Sequence, residues 1–297
     1  MAGYQRSGLR DFFKGDVKQY GHPPYPAAPS TFAPIKMVGR EEGGESSLEQ
    51  VTNYQLVLQY DGTRYEGWQK QKKSSMTIQG KLEAVLEAFA GTSVEVNGSG
   101  RTDAGVHALG QTASVKLPSA LDGETILPYL NRYLPEDIRI LSVKPVSDSF
   151  HARLSAVRKT YVYRVDTRSK KDVFERKYVY GFPFALDIKA MERASKDLLG
   201  THDFKSFCGN KKMKKSTIRT LEKIYIQESD GRIKISYTGN GFLQYMVRIL
   251  TGTLLEVGLG RRRPESVPEI LLARERSAAG FMAPPEGLFL VSVEYKY

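Results

Sequence analysis

The stretch GSGRTDAGVHALGQ, residues 98–111, places an arginine, a threonine and an aspartate in a row among four glycines. Glycine lets a backbone turn or approach another group where a side chain would clash, so this frame is typical of a tight turn or a site. A carboxylate such as Asp103 can attack or stabilise a cationic sugar carbon while it stays ionised, and a neighbouring guanidinium such as Arg101 favours that form. An aspartate in a turn often only caps its own backbone, so the triplet alone leaves both interpretations open.

The spacing of these glycines excludes two common nucleotide-binding loops. A dinucleotide-binding fingerprint needs Gly-x-Gly-x-x-Gly between a strand and a helix. Here the third glycine is Gly105, and the segment TASVKL that follows has the pattern of a strand. No Walker-type lysine follows the glycines, which excludes a P-loop. The loop is therefore expected to join two strands.

Composition points to a nucleic-acid partner and against a metal site. The 297 residues carry a net charge of +11, and a strongly basic soluble chain usually meets a polyanion, most often nucleic acid. The single cysteine, Cys208, excludes an internal disulfide and a Cys-rich zinc site, and the histidines lack helical ligand spacing. We expect no metal and a reducing cytoplasm. No apolar run is long enough to span a membrane, and the N-terminal residues lack the apolar segment of a secretory signal, so neither feature is expected.

The pattern of apolar residues predicts where ordered structure begins. Residues 1–52 are first proline-rich and then polar, without a periodic apolar face, and we interpret them as a flexible extension. Within residues 53–155, a strand ends at Asp61-Gly62, and a helix runs from about Thr77 to Ala90, before Gly91. Further strands and a second helix complete this part.

Residues 156–297 repeat this order of elements with little sequence identity. They contain a helix capped by Asp187 and stopped by Gly200, and a hairpin that turns at Asp230-Gly231. The apolar helix FLQYMVRILTGTLLEVGLG, a helix beginning near Pro264 and a final strand follow. The sequence therefore predicts an α+β protein with two related domains, 53–155 and 156–297, each a mainly antiparallel sheet covered by helices.

Five blocks along the chain resemble the tRNA pseudouridine synthases of the TruA family. The blocks are YDGTRYEGWQKQ, GRTDAGVHALGQ, FHARLSAVRKTYVYRV, FLQYMVRILTGTLLEVG and EGLFLVSVEY. The resemblance covers residues 54–295 and implies a homodimer with the active-site cleft between its two domains, no metal and no cofactor. It implies isomerisation of uridines in the anticodon stem-loop of tRNA, with tRNA positions 38 to 40 expected.

The implied reaction fits these residue types. The bond between nitrogen and ribose breaks, the base turns, and a carbon of the base bonds to the ribose, so no electrons leave and no atoms are added. A carboxylate is a natural catalyst, as in glycosidases. The resemblance implies that Asp103 is this catalyst. Whether it attacks the sugar, attacks the base or removes a proton from the sugar stays open.

The resemblance also implies roles for four further residues. Arg248 would pair with the catalytic aspartate, and Arg101 would help to extrude the target base from its stack. Tyr161 would pack on that base, and Leu288 would line the pocket. Three of them have a simpler alternative: Arg248, in an apolar helix, can snorkel to the surface, and Tyr161 and Leu288, on strands, can simply fill the core.

The basic run KKMKKSTIR is predicted to contact RNA phosphates, although such a run is often only a solvated surface. Its charged residues are Lys211, Lys212, Lys214, Lys215 and Arg219. Residues 261–263 form a second run of arginines. Two alternatives remain for the function: an RNA-binding protein or tRNA chaperone without catalysis, and the same isomerisation on another RNA.

Overall fold

The computed structural model describes residues 50–119, 121–170, 172–210 and 212–296. The strands are β1 (Val51–Tyr60), β2 (Val96–Gly98), β3 (His107–Pro118), β4 (Ile138–Val146), β5 (Ala156–Asp166), β6 (Tyr180–Gly181), β7 (Gly200–Asp203), β8 (Ile218–Ser229), β9 (Arg232–Gly239) and β10 (Leu288–Tyr295). The α-helices are α1 (Ile78–Ala90), α2 (Gly123–Tyr133), α3 (Ile188–Lys196), α4 (Met246–Gly258) and α5 (Val267–Ala273). The predicted α+β class is confirmed.

The ten strands of the described residues belong to one sheet. Its order is β4-β1-β3-β10-β5-β9-β8-β7, with β2 paired to β3 and β6 paired to β5. Neighbours are antiparallel except for the pairs β10 with β3 and β5 with β6. The final strand, β10, joins the strands of the two halves of the chain, because it pairs with β3 on one edge and β5 on the other. The two predicted sheets are therefore continuous with each other.

Local sequence signals account for several element ends. The predicted helix stripe is buried in α1, where the Thr77 side chain accepts from the Gly80 N–H and Gly91 ends the helix in a left-handed conformation. The hairpin between β8 and β9 turns as predicted, at Asp230 and Gly231, which both have positive φ angles.

Two predicted helix bounds were wrong. Helix α4 begins at Met246 and not at residue 242, because Tyr245 has a left-handed backbone (φ 61°) through which a right-handed helix cannot continue. Helix α3 ends at Lys196, and Gly200 does not stop it but begins strand β7. Across the part of the chain that the structure describes, no helix is long and apolar enough to cross a membrane. Residues 1–49 of the predicted extension lie outside the described residues.

Candidate active site

Asp103 lies on a loop, residues 99–106, that joins β2 to β3 and is fixed by hydrogen bonds to its main chain. The Trp68 N–H donates to the Thr102 carbonyl at 3.0 Å, and the Gly105 N–H donates to the Tyr65 carbonyl at 3.2 Å. Gly105 has a φ of +76°, which side chains other than glycine rarely adopt, so this residue allows the loop to turn directly after Asp103. The loop therefore holds the carboxylate in one place.

Buried polar side chains also hold this loop in place. The hydroxyls of Thr102 and Tyr60 are 2.8 Å apart, and the Gln111 amide donates to the Gly100 carbonyl at 3.0 Å. Burial raises the pKa of Tyr60 to about 12. Sequence reasoning missed Tyr60, although it belongs to one of the five blocks, because its contact with Thr102 depends on the pairing of β1 with β3.

Arg248 brings the opposite charge to the carboxylate from helix α4. Its Nη1 atom lies 3.4 Å from Asp103 Oδ2, and its Nε donates to the Ala283 carbonyl at 2.7 Å. The segment carrying Ala283 lies close to α4 because residue 252 is a glycine: a Cβ there would be 1.9 Å from the Phe281 carbonyl oxygen. The guanidinium is buried, with 7% of the residue exposed, so Arg248 does not snorkel.

Burial dominates the electrostatics of Asp103. Burial raises the pKa of the carboxyl, and the charge and hydrogen bond of Arg248 offset only part of this rise, so that the pKa stays above its ordinary value. The guanidinium that acts on Asp103 belongs to Arg248, whereas Arg101 is exposed. A carboxylate in this setting is less well solvated than a surface aspartate and is correspondingly more basic.

An aromatic surface lies next to this ion pair. Tyr161 on β5 is buried, and its ring meets the Phe242 ring edge-on at 5.0 Å. Burial raises the pKa of the Tyr161 hydroxyl, and the nearby Tyr60 and Asp103 raise it further. The structure thus brings Asp103, Arg248 and Tyr161 together, from a loop, a helix and a strand that are far apart in sequence.

Leu288 lies on the same side of the sheet as Tyr161. It is buried at the start of β10 and pairs directly with Tyr163, whose side chain points to the same face as that of Tyr161. The Tyr163 hydroxyl donates to the Pro284 carbonyl at 2.6 Å, which fits a packing role for this second tyrosine.

The lysines of the basic run that the structure describes lie on the surface. Lys212, Lys214 and Lys215 are exposed, whereas Lys211 lies outside the described residues. Arg219 is half-buried on β8 and donates to the Ser216 and Ile218 carbonyls. No group of three or more His, Cys, Asp or Glu side chains in the described residues is arranged to hold a metal ion.

Comparison with known proteins identifies what the chain is similar to. Residues 56–154 and 194–296 match a family model described as tRNA pseudouridine synthase. A protein named tRNA pseudouridine synthase A from Bacillus sp. (strain KSM-64) is 46% identical over 245 residues, which is 82% of this chain and 100% of that protein. A protein named tRNA pseudouridine synthase A 2 from Clostridium tetani is 46% identical over 244 residues, 82% of this chain and 98% of that protein. The first matched segment contains Asp103 and the second contains Arg248, whereas Tyr161 lies between the two segments.

Proposed function

The chain belongs to the tRNA pseudouridine synthases, a family of isomerases, and from this premise we propose that it converts uridine to pseudouridine in the anticodon stem-loop of tRNA with Asp103 as the catalytic carboxylate. The observation that carries the proposal is the contact between the Asp103 carboxylate and the buried guanidinium of Arg248, beside the ring of Tyr161. An acid, its counter-charge and a flat apolar ring are the three groups that the proposed chemistry needs.

The reaction breaks the bond from N1 of the uracil to C1′ of the ribose and forms a bond from C5 to C1′. The proton on C5 is lost and N1 gains one, so the product is an isomer of the substrate. Arg248 lowers the pKa of the Asp103 carboxyl by its charge and hydrogen bond, against the rise caused by burial, and so favours the ionised form. Asp103 then acts on the sugar or the base as nucleophile, or removes a proton from the sugar.

Extraction of the target nucleotide needs contacts around this centre. A nucleotide must leave its stack before an enzyme can reach C1′, at a cost of a few kcal/mol. Arg101, two residues before Asp103, is exposed; in this proposal its guanidinium occupies the vacated stack and holds a phosphate. The ring of Tyr161 packs on the extruded base, and Leu288 lines the same pocket.

The same proposal includes the domain arrangement, the oligomeric state and the RNA contacts of the enzyme. Residues 53–155 and 156–297 act as two domains with the active-site cleft between them, and two chains form a homodimer. The basic residues of the run from Lys211 to Arg219 contact tRNA phosphates, which position the RNA without reading its sequence. The enzyme works in the cytoplasm without a metal or cofactor.

Mapping of pseudouridine tests the proposal directly. Wild-type protein is incubated with unmodified tRNA transcripts, and ribosomal and messenger RNA fragments serve as parallel substrates. We expect new pseudouridine in the anticodon stem-loop and none in the other RNAs. Binding of tRNA without conversion would support an RNA-binding protein or chaperone instead, and conversion confined to another RNA would change the substrate class.

The ring of Tyr161, and not its hydroxyl, is expected to carry most of its contribution. The hydroxyl makes no hydrogen bond to the described residues, whereas stacking of a base on an aromatic ring is worth about 1–3 kcal/mol. Tyr161→Phe should keep the single-turnover rate within about tenfold of wild type, and Tyr161→Leu should lose about 10-fold to 100-fold more. Tyr225→Leu, on an exposed tyrosine, is the matched control. Equal losses in the two Tyr161 variants would assign the chemistry to the hydroxyl.

A further inference from the structure

Two neighbouring cations on β5 have opposite environments. Strand geometry points Arg158 and Lys159 to opposite faces of the sheet. Arg158 pairs with Glu222 at 2.5 Å and Glu294 at 2.9 Å. The Lys159 ammonium instead donates to the Ser99 carbonyl at 2.6 Å, at the start of the loop that carries Asp103. No carboxylate pairs with it among the described residues.

Two arginines add to the positive charge around Lys159. Burial, with smaller contributions from the charges of Arg153 and Arg219, lowers the pKa of Lys159 to about 8. Burial also lowers the pKa of Arg219, to which Arg153 contributes as well. Three mutually repelling cations, two of them half-buried, are less favourable than cations that are each paired with an anion. The cluster is therefore a concentration of positive charge that a bound anion would stabilise.

The position of the cluster favours an anion that reaches the catalytic loop. A Cβ built on Gly100 would lie 3.3 Å from the Lys159 Nζ atom, so the glycine leaves the ammonium uncovered on that side. Lysine has three N–H donors, of which the Ser99 carbonyl takes one. Asp103 follows Ser99 by only four residues, so an anion held here lies at the base of the loop that carries the carboxylate.

We infer that Arg153, Lys159 and Arg219 form a binding site for one phosphodiester of the RNA substrate, next to the nucleotide that is extruded toward Asp103. This inference rests on the proposed function, because it names a contact of the same substrate. Lys159 is a positioning residue: by bonding both the loop and a phosphate, it sets the distance between the RNA backbone and the carboxylate. Arginine and lysine are the side chains that fit a phosphate, the arginines by their planar forks and the lysine as a point charge.

The salt dependence of binding distinguishes this role from a purely structural one. Affinity for an anticodon stem-loop RNA is measured over a series of salt concentrations for wild type, Lys159→Met, Lys159→Arg and the matched control Arg158→Met. Loss of one phosphate contact should weaken binding by about tenfold and reduce the slope of log K against log salt by about one in Lys159→Met. Lys159→Arg should restore most of the slope, and Arg158→Met should leave it unchanged. A wild-type slope in Lys159→Met would overturn the inference.

A modified RNA then identifies the phosphate. Single uncharged methylphosphonate linkages are placed in turn on either side of the target uridine. At one linkage the change should weaken wild type by about tenfold and have little further effect on Lys159→Met, because the same contact is already lost. If every linkage affects both proteins equally, the site does not hold a phosphodiester. Inorganic phosphate at matched ionic strength should not compete, which separates an RNA phosphate from a free ion.

Two further controls keep the outcome clear. Arg153 is exposed, so Arg153→Met is expected to fold and should lower the salt slope even if Lys159→Met is unstable. An unchanged slope in Arg153→Met would also count against the site. Failure of the proposed function would be recognised by a different measurement. Wild type would then make no pseudouridine in any RNA, whereas the salt slopes would still report on RNA binding.

Discussion

Asp103→Asn is expected to reduce the rate of pseudouridine formation in tRNA by at least about 10⁴-fold. The amide has the shape of the carboxyl group but cannot ionise, so it can serve neither as nucleophile nor as base. The loop should keep its structure, because its hydrogen bonds to Trp68 and Tyr65 use main-chain atoms that the substitution leaves in place. Affinity for tRNA should therefore stay within about tenfold of wild type, or about 1.4 kcal/mol.

A matched substitution and two measurements make this result specific. Asp148→Asn replaces an exposed aspartate outside the site and should leave the rate unchanged. Rates are measured under single-turnover conditions, and tRNA affinity is measured in parallel by equilibrium binding. A normal rate in Asp103→Asn would show that another group is the catalyst, and a loss of binding as large as the loss of rate would show a damaged fold.

Local elements of the fold could be predicted because their signals are local. Thr77 and Gly91 bound α1, and Asp230 with Gly231 makes the β8–β9 turn, each through the backbone of adjacent residues. The place of β10 in the centre of the sheet could not be predicted, because it depends on pairing with β3 and β5, far away in sequence. The start of α4 was misplaced for a related reason, since no local signal announces the left-handed Tyr245.

The candidate site likewise combines features that the sequence predicts with contacts that only the folded chain reveals. Glycine spacing marked the loop of Asp103, but only the resemblance to a family pointed to Arg248 and Tyr161. The supporting contacts, such as the Ala283 carbonyl on Arg248 and the Ser99 carbonyl on Lys159, are made by main-chain oxygens. A main-chain oxygen has no residue type that a sequence pattern could single out, so these partners emerge only once the chain is folded.

Arg248→Met is expected to lower the rate at neutral pH by about 10²-fold to 10³-fold, the range found when one charge-stabilising group of an active site is removed. Methionine is apolar and can fill much of the space that the buried side chain leaves. The substitution removes both of the contributions of Arg248 that lower the pKa of Asp103 and leaves the contribution of burial, which raises it. The pKa of the carboxyl therefore rises further above its ordinary value.

The sign of the pH dependence follows from this shift and separates an electrostatic role of Arg248 from a structural one. Catalysis needs the ionised carboxylate, so activity is lost as pH falls through the pKa of Asp103. Because that pKa is higher in Arg248→Met, the acid limb of kcat/KM should move to higher pH, and part of the lost rate should return as pH rises. Arg248→Lys keeps the charge but not the second donor to Ala283, and its acid limb should lie nearer that of wild type. An Arg248→Met enzyme that is slow at every pH, with its acid limb in the wild-type place, would mean that the guanidinium holds the fold or the RNA and does not tune the acid.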